Sequence, residues 1–170
     1  MITCDITLKI DGKIKEPKEI INDVFENCNN KLEYIDLDLI RTETKTESGR
    51  IKVHNSLNAS KAEIENISFD IGIYFILSED KSKLLYIGKA LDVKSRLKAH
   101  LIKKAESVSS EMFKINEYLI NNKSKIIYYY AIETTADNNA AIEGILIDYA
   151  IKQKNNGDIR FTDLFNERKD

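Results

Sequence analysis

Cysteine is scarce, long apolar runs are missing, and so are the best-known catalytic signatures. Cys4 and Cys28 show no paired metal spacing, which excludes a zinc module, and both fall at positions read as core-facing, so buried thiols are expected. The longest apolar runs, such as Ile71 to Leu77, are far short of the roughly 20 residues needed to cross a bilayer, so no membrane partner is expected. No charged-then-apolar segment opens the chain, and a cytoplasmic protein is the expectation. A P-loop, a Gly-x-Ser-x-Gly elbow and a His-Glu-x-x-His pair are all absent, which removes the commonest nucleotide-hydrolase, serine-hydrolase and zinc-hydrolase classes. An excess of positive charge is missing too: 26 basic against 28 acidic side chains leave a net charge of −2, which argues at first against nucleic acid as a partner.

That average hides a segregation. From Lys81 to Lys104 the chain carries eight basic residues against the single acid Asp92, a local charge of +7, so the remainder sums to −9. A phosphate-bearing partner would sit on this basic stretch. Residues 1–66 hold ten basic and thirteen acidic residues, a net of −3 that matches a duplex-gripping surface poorly and suits a protein partner or self-association.

With 42% hydrophobic and 32% charged residues over 170 positions, the chain is expected to fold as one globular domain with a small addition. Ile2 to Ile10 alternates as a half-buried strand; Pro17 to Cys28 has helical spacing; Ile35, Leu37 and Leu39 alternate as a second strand. Residues 1 to about 41 thus read as a small α/β unit. The polar stretch from 42 to 66 reads as a connection with one short strand at Ile51 to His54, and the boundary of the main domain is placed at 67. From there the pattern changes. Ile71 to Leu77 and Leu84 to Ile87 form a hairpin, helices follow from Ala90 and from Ser109 or Ser110, a β-branched and aromatic strand covers Lys125 to Ile132, and a long helix begins at Thr135. The expectation is an α+β fold of ββααβα order, with a small three-stranded sheet flanked by helices.

Within that frame, Gly72-Ile73-Tyr74, then Tyr86-Ile87-Gly88, Lys89-Ala90, Arg96, His100 and Glu143 occur in an order and context that resemble the GIY-YIG endonucleases. The resemblance covers about 68 to 156, and the segment from Tyr86 to His100 is most similar to the nuclease domain at the front of the bacterial excision-repair incision enzyme. It implies a divalent-metal-dependent endonuclease acting on DNA, in repair or restriction, with Glu143 on Mg2+ or Mn2+ and Asn155 supporting the site. A module of the same fold that binds nucleic acid or protein without cutting is the alternative.

The residues suit phosphodiester hydrolysis on physical grounds as well. Tyr74 and Tyr86 on neighbouring strands can converge at one mouth of the sheet, and Lys89 could favour a phenolate that acts as base. Arg96 and His100 stand one helical turn apart, a permanently charged phosphate fork beside a group that titrates near neutrality. Glu143 is the only acid between Ala140 and Ile147, where a carboxylate requires a partner, and one carboxylate with waters suffices for Mg2+. Lys94, Lys98 and Lys104 are the expected track for the substrate backbone. Affinity for duplex DNA should therefore fall with salt in proportion to the phosphates neutralised, and reversing the charge of Lys94 and Lys98 should weaken unrelated sequences alike. Filter binding at several salt concentrations measures this, and a flat response would reduce the stretch to a solvated face.

Overall fold

The computed structural model describes residues 8–10, 13–36, 42–45, 47–48, 51–54, 58–59, 62–101 and 110–167. Its centre is the hairpin of β7 (Gly72–Leu77) and β8 (Leu84–Ala90). Every residue of β7 is buried, which explains why Ile73 to Leu77 is apolar on both faces rather than alternating. β9 (Ile126–Glu133) pairs antiparallel with the other edge of β7, and β8 forms the outer strand. α3 (Val93–Leu101) and α4 (Ser110–Asn121) follow β8, and α5 (Ala136–Asn155) follows β9. The α+β class and the ββααβα order read from the sequence are therefore observed.

The sheet is wider than expected. β3 (Asn30–Asp36) pairs antiparallel with β9, and the two-residue β6 (Asn58–Ala59) pairs with β3, giving five strands in the order β6-β3-β9-β7-β8 rather than three. The stretch paired to β9 is Asn30 to Glu33, ahead of the Ile35, Leu37 and Leu39 alternation that marked the strand in the sequence; residues 37–40 lie outside the described residues. Asn30, Lys31 and Glu33 carry no apolar signal, because a strand is held at this position by its backbone hydrogen bonds. The expected connection contains more structure too: β4 (Thr42–Lys45) pairs with β5 (Ile51–His54), and α2 (Ala62–Glu65) follows β6. At the N-terminal side, β1 (Leu8–Ile10) and β2 (Lys13–Lys15) form a separate two-stranded ribbon.

Two cores flank the sheet. On one face Ile64, Val93, Leu97, Ile115 and Leu119 cover Tyr74, Ile76, Leu85 and Tyr129. On the other, α1 (Pro17–Asn27) contributes Ile20, Ile21 and Val24 to a cluster with Ile142, Leu146 and Ala150 of α5 and with Ile73, Phe75 and Ile87 of the hairpin. α1 starts where Pro17 supplies a preset φ and where Glu16 and Glu19 form a reciprocal cap. Cys28, just past its end, is buried as expected, and its thiol donates to the Tyr129 carbonyl at 3.1 Å; Cys4 lies outside the described residues. The boundary placed at 66/67 therefore runs through a shared sheet and two shared cores. A chain starting at Ile67 would bare the edge of β9 and the α1 side of the second core, so it should be insoluble or unfolded where the full chain melts cooperatively. Circular dichroism melts of the two would show it, and an equally stable truncated domain would refute the shared core.

Candidate active site

The turn between β7 and β8 sets the register. Asp80 accepts from the Ser78 hydroxyl at 2.6 Å and from the Ser82 amide at 3.0 Å, contacts that hold its carboxyl down at about 2, and Lys81 takes a positive φ of 59°. With the turn fixed, Tyr74 stands directly opposite Gly88 and Tyr86 opposite Ile76, which puts both tyrosines on one face along a diagonal. Their rings lie 6.0 Å apart. Both motif glycines answer to close approach. A Cβ on Gly88 would stand 2.5 Å from Cζ and Oη of Tyr74, and one on Gly72 would stand 2.3 Å from the Ile132 carbonyl oxygen.

Tyr74 is fully buried. Burial, reinforced by the neighbouring Tyr86, pushes its phenol far above the ordinary range, and the Arg96 guanidinium that donates to the phenol oxygen offsets only part of this. Tyr74 is thus neutral at physiological pH. Arg96 itself is exposed on the first turns of α3. That helix is anchored at its start: Asp92 accepts from the Ser95 amide at 2.9 Å and hydroxyl at 2.7 Å, and the Val93 amide donates to the Asp70 carbonyl at 2.8 Å.

Lys89 and Glu143 meet from the other side. Strand alternation turns Lys89 away from the tyrosine face, so it does not act on a phenol as the sequence suggested. Instead, its ammonium lies 3.3 Å from Glu143 Oε2, and its backbone amide donates to Glu143 Oε1 at 3.0 Å. The partner that a half-buried Glu143 requires is therefore Lys89. Glu143 still contributes to the field at Tyr74, which links the two sides of β8 into one constellation. A shallow depression of about 370 Å3, lined by Lys89, Ala90, Leu91, Asp92, Ser95 and Arg96, opens beside it.

Other expected residues fall differently. Asn155 is exposed at the last residue of α5, about 18 Å along the helix from Glu143 at 1.5 Å per residue, outside the cluster. His100 lies on α3 one turn past Arg96, but its side chain is outside the described residues, as is all of Lys104. Lys94 and Lys98 both lie on α3, with Lys98 paired to Glu65 of α2. Two asparagines were missed. Asn139, on α5 one turn before Glu143, is buried and donates to the Ala90 carbonyl at 2.9 Å. Asn166 accepts from the Ile87 amide at 2.7 Å and donates to the Ile87 carbonyl at 2.8 Å, completing the outer edge of β8. The helical spacing of Asn139 to Glu143 was a usable signal; for Asn166, isolated near the end of the sequence, there was none.

A family model described as the GIY-YIG catalytic domain matches residues 70–156. The chain belongs to the GIY-YIG family. The family is one of endonucleases, and the matched span holds the hairpin, Arg96 and Glu143 while leaving Asn166 beyond its end. No curated protein and no solved structure matches the chain. In GIY-YIG terms the second glycine is the space in which the first tyrosine lies, and this is open to test. Gly88→Ala should destabilise by about 1–3 kcal/mol through overpacking. Tyr74→Phe, which removes Oη but keeps Cζ, should recover only part of that in the double variant. Urea unfolding of the four proteins reads the coupling, and strictly additive losses would refute the close contact.

Proposed function

We propose that this chain is a divalent-metal-dependent DNA endonuclease whose site is the cluster of Tyr74, Tyr86, Lys89, Arg96 and Glu143. The observation that carries the reading is the junction of Arg96 with a buried, neutral Tyr74 within the field of Glu143, at the rim of an open depression. Hydrolysis of a phosphodiester requires an in-line water, neutralisation of charge on the phosphate and a proton for the departing oxygen.

Arg96, exposed and backed by the Tyr74 phenol, binds the scissile phosphate through its forked donors. Tyr74, its phenol held neutral by burial, holds that guanidinium instead of acting as base. Tyr86 is only half buried and adjacent to it, and as the phenolate, its own proton having passed to solvent, Tyr86 is assigned the proton of the attacking water. His100, one turn beyond Arg96, is assigned the proton for the leaving oxygen. Among the described residues no group of three or more acidic, His or Cys side chains gathers, and Glu143 is the carboxylate assigned to hold a metal. That donor set fits Mg2+ or Mn2+, which keep several waters, and the bound ion supplies neutralisation of the phosphate charge. The Lys89 ammonium, 44% exposed, is free to leave Glu143 for solvent or substrate.

Plasmid cleavage with Mg2+ or Mn2+ tests the assignment. Glu143→Ala and Arg96→Ala should each lose about 10²-fold or more in rate, and Tyr86→Phe a comparable amount. Wild-type rates in both the Glu143 and Arg96 variants would remove the mechanism. A wild-type protein that binds DNA but cuts with neither metal would establish the alternative, a binding module of the same fold.

A further inference from the structure

We propose that Asn139 is a positioning residue that fixes the spacing between the Glu143 carboxylate and the Arg96 guanidinium. The proposal rests on the site assigned above, and it answers a mechanical problem in the fold. Glu143 stands on α5, which packs against Ile73, Phe75 and Ile87 on one face of the sheet, while Arg96 stands on α3, whose Val93 and Leu97 pack on the opposite face. The two side chains can act on one phosphate only by reaching round the outer strand β8, so their separation is set by how α5 grips that strand and how the strand enters α3.

The grip consists of two side chains from successive turns of α5. Glu143 Oε1 takes the Lys89 amide at 3.0 Å, and Asn139 Nδ2 donates to the carbonyl of the next residue, Ala90, at 2.9 Å. Ala90 is two residues before Asp92, which caps α3, and the turn is pinned again by the Val93 amide on the Asp70 carbonyl. Asn139 is therefore the side chain through which α5 holds the strand end that leads into the Arg96 helix. Its environment makes a purely space-filling role uneconomical. Asn139 is 3% exposed, and its Oδ1 has no hydrogen-bond partner. An aliphatic side chain at this place would remove the unsatisfied Oδ1 and, with it, the donor to the Ala90 carbonyl, so what the amide adds is the directional bond to Ala90.

Asn139→Leu, close in volume and unable to donate, tests this in the full chain. Its kcat on plasmid should fall at least tenfold while KM changes by less than about twofold, with the melting temperature shifted by no more than a few degrees, since the lost bond to Ala90 and the lost unsatisfied Oδ1 oppose one another. Hydrogen exchange supplies a readout independent of cleavage: the Lys89 amide, bonded to Glu143, should lose at least tenfold in protection, and the Ile87 amide, held by Asn166, should not change. In the wild type the side-chain amide protons of Asn139 should exchange far more slowly than those of an exposed asparagine, a measurement that needs no variant to fold. Unchanged Lys89 protection in a folded Asn139→Leu protein, or rapid exchange of the wild-type Asn139 amide, would overturn the proposal. If the wild type cuts no DNA, the reading of the site fails while the exchange data still decide whether Asn139 sets Glu143. A lower melting temperature with kcat and Lys89 protection unchanged would reduce Asn139 to a packing residue and overturn the proposal as well.

Discussion

The placement of Tyr74 across from Gly88 is the constraint on which the rest of the site depends. The pairing puts a buried phenol into a space that any Cβ would fill, and it fixes where Arg96 finds its hydrogen-bond acceptor. A slip of one residue along β8 would turn Tyr86 to the other face and send Lys89 toward Tyr74. The Asp80 turn and the burial of β7 on both sides resist such a slip, so the stability of the hairpin and the geometry of the site are one property.

Much of this was legible in the sequence because its signals are steric or periodic. Glycines next to tyrosines, a hairpin of fixed length, an α5 face of Ile142, Leu146 and Ala150, and a single acid between Ala140 and Ile147 each leave a local trace. What was not legible was set by distant backbone. Asn30 to Glu33 form a strand because β9 offers an unpaired edge, and nothing in their side chains announces it. The direction of Lys89 was readable from strand alternation alone, since positions 86 and 89 differ by an odd number. Its attraction to Glu143 was not, because it depends on where α5 crosses β8.

The charge distribution gains meaning from the same geometry. A chain that is slightly acidic overall concentrates positive charge in the hairpin turn, the end of β8 and α3, next to the depression lined by Lys89, Ser95 and Arg96. The acidic N-terminal stretch lends its apolar side chains to the opposite core through α1, and its strand β3 to the far side of the sheet. Tyr74 and Arg96 share the α3 face of the sheet, where burial keeps the phenol neutral while the guanidinium that reaches it stays exposed.

The outer edge of β8 has a second consequence. An unpaired strand at the margin of a sheet normally invites a strand from another molecule, the first step of ribbon growth and aggregation. Here Phe165 donates to the Leu85 carbonyl at 2.8 Å, Asn166 occupies both polar groups of Ile87, and Glu143 takes the amide of Lys89. The side chains that brace the site therefore also cap a sticky margin, and a molecule that keeps the strand leading to Arg96 in order keeps itself from polymerising through that strand.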